Sequence, residues 1–220
     1  MKIFCVIPAW NEEKNINKVV REVKEKVTEV VVVDDGSTDQ TSREARSAGA
    51  KVLRHLINRG QGAALQTGNE YALKIGADVI VHFDADGQFL AEEINDMTAP
   101  IKRGEAEVIF GSRFLEKKSQ IPILKKFFIL PLAHLANKLL LGVTLTDPQS
   151  GFRALSRVAA QKIEIEQDDM AHCSEIIYKT FKNNLKFREV PITVIYHGFG
   201  QKLGGGFKIV KDLLLAKITN

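Results

Sequence analysis

The chain has 220 residues, and its 31 Lys and Arg outnumber its 27 Asp and Glu, which gives a formal net charge of +4 at pH 7. Hydrophobic residues make up 45% and charged residues 26%, which is ordinary for a soluble globular protein. This composition excludes a disordered chain, a collagen-like fibre and a polytopic membrane protein. The two cysteines, Cys5 and Cys173, form no CxxC or zinc-type spacing, so we expect no disulfide scaffold. Residues 1–8 are too short for an export signal.

Strands and helices are predicted to alternate through the first half of the chain. Short apolar or β-branched runs predict strands over residues 2–7, 29–33, 51–54, 78–83 and 107–110. Helical spacing of apolar residues, with capping residues before them, predicts helices over residues 14–27, 40–47, 60–74 and 91–102. This alternation is typical of an α/β protein with a mostly parallel sheet covered by helices on both faces.

The pattern changes after Phe114. The sequence predicts one or two basic amphipathic helices over 117–143, a loop over 147–153, a helix over 174–181, a strand over 187–195, a glycine-rich loop over 198–206 and an amphipathic helix over 207–218. There is no internal repeat and no clear linker. We therefore expect a single domain with a C-terminal elaboration.

Polar clusters follow four of the predicted strands. They occupy residues 8–12, 34–38, 84–88 and 111–113. Ligands of parallel α/β sheets bind beyond the carboxyl ends of the strands, so these clusters predict a ligand site. Turn residues also collect at strand ends for purely structural reasons. This alternative explains any single cluster, but it explains the presence of all four together less well.

Two of the clusters carry paired acids. Asp84 and Asp86 can converge on one Mg²⁺ or Mn²⁺ ion, with Gln88 adding a carbonyl oxygen, although the same residues also suit an acidic turn. Asp35 can accept hydrogen bonds from a ribose or a base, or it can serve only as a turn residue. A receiver domain also places paired acids at a strand end, but it needs a separate phosphate-accepting Asp and a strand-end Lys in a chain of about half this length.

Glycines open the helix predicted to begin near Gly60. Backbone N–H groups there could face a phosphate, or the glycines could serve only a tight turn. The segment 58–62 matches neither the GxGxxG motif nor a P-loop. The sequence therefore argues against a dinucleotide-dependent oxidoreductase and against a P-loop NTPase.

Six segments occur along the chain in an order that resembles the family-2 glycosyltransferases, and within them the dolichol-phosphate mannose synthase-like branch. They are residues 8–12, 33–39, 58–62, 84–88, 111–114 and 147–153. The resemblance covers nearly the whole chain. It implies a GT-A fold, inverting transfer from a nucleotide-diphosphate sugar (GDP- or UDP-linked), Mg²⁺ or Mn²⁺ as cofactor and a polyprenyl phosphate as acceptor. It also implies that the single domain 1–220 has a nucleotide-sugar half, 1–115, and an acceptor- and membrane-facing half, 116–220.

The resemblance further implies site residues. The nucleotide sugar would be held by Pro8, Trp10, Glu12, Val33, Asp35, Asp84, Ala85, Asp86, Arg113, His197 and Lys202. The metal would be held by Asp84, Asp86 and Gln88, and the catalytic residues would be Asp86, Arg113 and Lys202. His197 stands where the branch usually carries an Arg, which leaves its role between a phosphate contact and an ordinary loop histidine.

The acceptor decides whether a base is needed. A phosphate monoester is already anionic, whereas a glycan hydroxyl would need a general base, for which Asp147 is the candidate. The sequence also leaves open a nucleotidyltransferase and a non-catalytic nucleotide-binding protein at a membrane surface.

A membrane contact is predicted for the second half. Lys117, Lys118, Lys125 and Lys126 flank apolar residues and suit an anionic lipid surface, although core helices have similar patterns. We expect a peripheral enzyme on the cytoplasmic face of the membrane, with a separate membrane protein as partner and no nucleic acid.

Overall fold

The protein is described by a computed structural model over residues 1–115 and 145–195. Its centre is a seven-stranded sheet of order β3-β2-β1-β4-β6-β5-β7. The strands are β1 Ile3–Ala9, β2 Glu29–Asp34, β3 Lys51–Arg54, β4 Val79–His82, β5 Val108–Ser112, β6 Arg153–Ser156 and β7 Phe187–Pro191. All neighbouring pairs are parallel except those of β6, which runs antiparallel between β4 and β5.

Helices cover both faces of this sheet. They are α1 Ile16–Lys24, α2 Thr41–Ser47, α3 Gln61–Lys74, α4 Ile94–Lys102, α5 Arg157–Lys162 and α6 His172–Lys182, with a 3₁₀ turn, Ala91–Glu93, leading into α4. Strand β1 shows why the sheet is central, since every one of its residues is buried. Cys5 and Ile7 pack in the core shared with α1, whereas Phe4 and Val6 pack in the core shared with α3.

The predicted alternation of strands and helices is confirmed over the first half of the chain. The five predicted strands are present, and the helices begin and end close to their predicted bounds. Strand β7 ends at Pro191, earlier than predicted. The helices predicted over 117–143 and 207–218 and the loop predicted over 198–206 lie outside the described residues.

The second half holds the main difference from the prediction. Arg153 does not end a loop but begins strand β6, and helix α5 follows it directly. Strand β6 has only four residues, and its hydrogen-bond partners are remote in sequence, with His82 opposite Arg153 and Val79 opposite Ser156. Local spacing carries too little information to predict so short an antiparallel strand.

Candidate functional site

The four polar clusters of the sequence meet at one edge of the sheet. Strands β2, β1, β4 and β5 all run in the same direction, so their carboxyl ends lie together. Strand β6 begins at the same edge because it runs the opposite way, which adds the segment before Arg153 to the site. The sheet therefore assembles the polar segments that the sequence singled out.

The loops that follow β1 and β2 are joined by hydrogen bonds. The backbone N–H of Asn11 donates to the Ser37 hydroxyl (2.9 Å), and the backbone N–H of Thr38 donates to the Asn11 side-chain oxygen (2.9 Å). The backbone N–H of Glu12 donates to the Thr41 hydroxyl (2.8 Å). Trp10 lies next to these bonds on the surface and is 56% exposed. An indole presented in this way is available for stacking on a ligand.

Asp35 is buried and organises the glycine-rich loop. Its carboxylate accepts hydrogen bonds from the backbone N–H groups of Arg59 (2.9 Å) and Gly60 (2.7 Å) and contacts Nδ1 of His55 (2.6 Å). The other ring nitrogen of His55 contacts the Thr67 hydroxyl of α3 (2.9 Å). The sequence did not single out His55. The geometry shows that Asp35 fixes the start of α3.

The next residue along this loop reaches the other acidic pair. The side-chain amide of Gln61 donates to Oδ1 of Asp84 at 3.0 Å. Since Asp35 binds the backbone of Gly60 and Gln61 binds Asp84, two consecutive residues connect the two acidic loops. Asp35 and Asp84 therefore lie on either side of the first residues of α3, at the same edge of the sheet.

The Asp84–Asp86 loop is supported by packing from below. Phe83 precedes it and Phe89 follows it, and both rings contact Phe152, with centroid separations of 5.1 and 5.2 Å. The register of β4 and β6 brings Gly151 to Asp84, where a Cβ atom on Gly151 would lie 2.5 Å from Oδ2. Only a glycine therefore allows this close approach of the 147–153 segment to the carboxylate.

The surroundings of Asp84 disfavour its charged form. Burial and, to a smaller extent, the charge of Asp86 raise the pKa of Asp84 to about 7, while Arg153 opposes the shift. Asp86 itself accepts a hydrogen bond from the backbone N–H of Gln88 (3.0 Å). Two carboxylates held this close favour a cation between them.

These groups fit Mg²⁺ or Mn²⁺. Over residues 1–115 and 145–195 no cluster of three or more His, Cys, Asp or Glu side chains converges on one point. Mg²⁺ is typically held by one or two carboxylates and completes its octahedron with water and substrate phosphates. The pair Asp84 and Asp86 meets that requirement with oxygen ligands alone.

Arg113 is held in place by Asp147. Its Nε lies 2.6 Å from Oδ2 and its Nη2 lies 2.6 Å from Oδ1, and its backbone N–H also donates to Oδ2 (3.1 Å). Asp147 is 2% exposed. Glu189 of β7 anchors the segment before it by accepting hydrogen bonds from the backbone N–H (2.8 Å) and the hydroxyl (2.6 Å) of Thr146. Both carboxylate oxygens of Asp147 thus serve to position Arg113.

The other predicted contact residues are less exposed than Trp10. Pro8, Val33 and Ala85 are buried at the ends of their strands or in the acidic loop. Glu12 lies in the turn before α1, where its carboxylate accepts a hydrogen bond from the Asn15 side-chain amide (2.9 Å). His197 and Lys202 lie outside the described residues.

Comparison with protein families agrees with this geometry. The family model described as "Glycosyl transferase family 2" matches residues 4–164. The chain belongs to this family. The glycosyltransferase resemblance of the sequence is therefore confirmed, and the chain is a glycosyltransferase.

Two curated relatives span nearly the same length. The chain is 34% identical to a UDP-N-acetylglucosamine–dolichyl-phosphate N-acetylglucosaminyltransferase of Methanococcus voltae, over 98% of this chain and 96% of that protein. It is 29% identical to a polyprenol monophosphomannose synthase of Mycolicibacterium smegmatis, over 93% of this chain and 82% of that protein.

A solved structure confirms the fold. Glucosyl-3-phosphoglycerate synthase from Mycobacterium tuberculosis, in complex with Mn²⁺, UDP-glucose and phosphoglyceric acid, superposes with a TM-score of 0.77. The identity is 23%, over 97% of this chain and 79% of that one. The expected GT-A fold, with its mostly parallel sheet between helices, is therefore confirmed. Among the helices that the structure describes, none is long and apolar enough to cross a membrane.

Proposed function

We propose that this glycosyltransferase moves a sugar, with inversion, from a nucleotide-diphosphate sugar to a polyprenyl phosphate. The observation that carries the proposal is the meeting of an acidic pair, Asp84 and Asp86, with an oriented guanidinium, Arg113, at one edge of the sheet. The names of the two relatives support a lipid phosphate as acceptor, since one names dolichyl phosphate and the other polyprenol.

The nucleotide would lie across the loops that follow β1 and β2. Exposed Trp10 would pack on the base or ribose. Pro8, Glu12, Val33 and Asp35 belong to these strand ends and loops, Ala85 lies in the loop after β4, and all five remain the predicted contacts. In the present geometry the Asp35 carboxylate is engaged by the glycine-rich loop, so it would act on the donor mainly by holding that loop.

Asp84 and Asp86, with Gln88, would hold Mg²⁺ or Mn²⁺. When bound there, the ion neutralises charge on the diphosphate leaving group. Gln61 orients Asp84 without neutralising it, because an amide donates a hydrogen bond but carries no charge.

Arg113 would bind phosphate oxygens. Asp147 fixes the orientation of the guanidinium through Nε and Nη2, and a planar cationic fork suits the geometry of phosphate oxygens. Lys202 and His197 would add to the phosphate site from the segment beyond residue 195.

The position of Asp147 bears on the choice of acceptor. A hydroxyl acceptor needs a general base, yet both oxygens of Asp147 bind Arg113. A phosphate acceptor needs none, because its oxygen is already anionic and can attack the anomeric carbon from the face opposite the leaving diphosphate. Catalysis then rests on positioning and on stabilisation of phosphate charge.

The enzyme would meet its lipid acceptor as a peripheral protein on the cytoplasmic face of the membrane. The basic and apolar residues of 117–143 support this proposal through their sequence.

The test is a transfer assay with a panel of labelled GDP- and UDP-sugars, membranes and Mn²⁺ or Mg²⁺, followed by organic extraction. We expect label to move into the lipid phase. Asp86→Ala should reduce transfer by about 1,000-fold or more while thermal unfolding stays unchanged. Asp96→Ala, which removes an exposed aspartate from α4, is the matched control and should be fully active. Label found only in a water-soluble glycan or in pyrophosphate would contradict the proposal.

A further inference from the structure

Two consecutive apolar side chains project from the loop between β3 and α3. Leu56 is fully exposed (102%) and Ile57 is 70% exposed. Elsewhere in residues 1–115 and 145–195, the exposed large hydrophobic residues stand singly, which is ordinary for a protein surface. A neighbouring pair instead forms a contiguous apolar tip, and contiguous exposed apolar surface marks a site of interaction.

The backbone on both sides of this tip is fixed by the end of β2. Before the tip, the backbone N–H of His55 donates to the carbonyl oxygen of Asp34 (2.9 Å). After the tip, the backbone N–H of Gly60 donates to the carboxylate of Asp35 (2.7 Å). The loop is therefore held at its two ends, and the exposure of the tip is part of the fold.

Gly36 closes the inner side of the loop. It has a φ of +74°, and a Cβ atom there would lie 2.6 Å from backbone atoms of Ile57 and Asn58. The backbone of the tip therefore packs directly against the backbone of the β2 loop. This contact leaves no room for an apolar side chain between the two loops, so Leu56 and Ile57 point to the outside.

An exposed arginine flanks the tip on each side. Arg54 donates to the carbonyl oxygen of Ser37 (2.9 Å), and its Nε lies 3.6 Å from Oδ2 of Asp34. Nη2 of Arg59 lies 4.0 Å from Oδ1 of Asp168, and both of these side chains are exposed. An exposed ion pair at this distance contributes little, so Arg59 can exchange Asp168 for another anion.

The tip lies at the same edge of the sheet as the candidate site. Strand β3 runs parallel to β2, so the loop that follows it begins at the edge where the acidic loops meet. The loop leads directly into α3, whose first residue, Gln61, binds Asp84. A surface that docks on this tip therefore comes close to the site.

The sheet edge beside the tip is unsuited to a second copy of the chain. In the described part of the sheet, β3 is an edge strand. Antiparallel pairing of β3 with its own copy, centred on the strand, would place Lys51 opposite Arg54, and both residues are exposed. Like charges directly opposite each other disfavour such a pairing.

We propose that residues 54–59 form a docking loop that inserts Leu56 and Ile57 among the acyl chains of a membrane and places Arg54 and Arg59 at the headgroup phosphates. Fluid acyl chains accept a projecting apolar tip without a complementary pocket, and phosphates accept hydrogen bonds from guanidinium groups. The choice of a membrane as the partner rests on the lipid acceptor of the proposed function, so the experiments below measure docking and transfer separately.

The first experiment measures co-sedimentation of the full chain with vesicles of equal parts phosphatidylcholine and phosphatidylglycerol, without donor or metal. Leu56→Ser and Ile57→Ser should each weaken binding by about tenfold. Val158→Ser is the matched control, because it removes an exposed apolar side chain from α5, which follows β6 at the opposite edge of the sheet. It should leave binding unchanged. Full binding by the double variant of Leu56 and Ile57, or no binding by the wild-type protein, would overturn the docking loop.

The arginine contact is tested by the headgroup. Arg59→Gln should weaken binding to these anionic vesicles by about fivefold and leave binding to vesicles of phosphatidylcholine alone nearly unchanged. Equal losses on the two kinds of vesicle would overturn the contact of Arg59 with anionic headgroups.

A fluorophore tests insertion directly. Cys5 and Cys173 are both buried, so a cysteine introduced by Ile57→Cys can be labelled selectively with a polarity-sensitive dye. Vesicles should shift the emission of this dye to the blue, and a quencher attached to the acyl chains should reduce it. The same dye on Val158→Cys should keep its emission in water. Unchanged emission from the dye at position 57 would overturn insertion.

Two further measurements address the other occupants of the tip. The double variant of Leu56 and Ile57 should unfold with the same free energy as the wild-type protein, because neither side chain is buried. It should also have the same mass in sedimentation equilibrium. A clear loss of stability would show that the tip packs within the protein. A wild-type oligomer that the double variant lost would assign the tip to a second copy, and either result would overturn the membrane as its partner.

Transfer assays separate docking from the proposed function. With polyprenyl phosphate dispersed in detergent, the double variant of Leu56 and Ile57 should transfer sugar at the wild-type rate, whereas with the same acceptor in vesicles it should lose about tenfold or more. An equal loss in detergent would overturn the docking role. If the wild-type protein transferred no sugar in either system, the proposed function would fail, and vesicle binding would still decide the docking loop.

Discussion

Two acidic loops at the same edge of the sheet use aspartate in opposite ways. Asp35 is buried, and its carboxylate is bound by two backbone N–H groups and by His55. Asp84 is half-buried, and burial beside Asp86 raises its pKa to about 7. A carboxylate with its own donors stabilises the fold, whereas one beside a like charge costs free energy until a cation binds. The comparison supports a structural role for Asp35 and the proposed cation-binding role for Asp84.

The largest effect on stability is expected at Asp35. Asp35→Ala removes one buried carboxylate and leaves the N–H groups of Arg59 and Gly60 without their acceptor, which should lower the free energy of unfolding by about 3 kcal/mol. Urea unfolding measures this loss. Asp86→Ala is the partner in the comparison and should leave the unfolding free energy nearly unchanged. Equal losses of unfolding free energy in the two variants would contradict the distinction between the two acidic loops.

The ion pair of Arg113 and Asp147 should come next. Asp147→Asn keeps the size of the side chain but weakens its hold on Arg113, so transfer activity should fall by about 10- to 100-fold. If Asp147 only positions Arg113, the pH profile of the remaining activity should keep its shape. Loss of the low-pH limb of that profile, in which a base becomes protonated, would instead show that Asp147 acts as a base.

A smaller effect, with a defined sign, is expected for Asp84. Its folded pKa of about 7 lies above the ordinary value of 3.8, so unfolding releases a proton between these pH values. Wild-type stability without divalent ions should therefore fall as the pH rises through this window and level off above it. Asp84→Asn lacks the titrating group.

The measurement for Asp84 is the melting temperature of the two proteins across this pH range. We expect the stability of Asp84→Asn relative to wild type to increase from about pH 4 to about pH 7. Mn²⁺ should raise the melting temperature of the wild-type protein and leave that of Asp84→Asn unchanged. A difference that is constant with pH would show that Asp84 is not held at a raised pKa.

The smallest effect is expected at Gln61. Gln61→Ala removes the hydrogen bond that orients Asp84, so Mn²⁺ affinity should weaken by about three- to tenfold with little change in stability. Isothermal titration with Mn²⁺ measures this change. Asn95→Ala, at an exposed position of α4, is the control and should leave Mn²⁺ affinity unchanged.

Much of this site could be predicted from the sequence because of one geometric rule. Parallel strands end at one edge, so Trp10, Asp35, Asp84 and Arg113 could be placed together from the order of strands and helices alone. His55, Gln61 and Glu189 could not be predicted in this way. Each of them acts through a partner at least 12 residues away whose position depends on tertiary packing.

The sequence by itself determined the alternation of strands and helices, the family, and the position of the acidic pair after a buried strand, because these depend on local patterning. Only the tertiary structure decided which carboxylates the protein itself satisfies. It inserted β6 between β4 and β5, which brought Gly151 against Asp84 and buried the guanidinium of Arg153. A charged residue is expected at the surface, and its burial follows from sheet register, which pairs residues far apart in the chain.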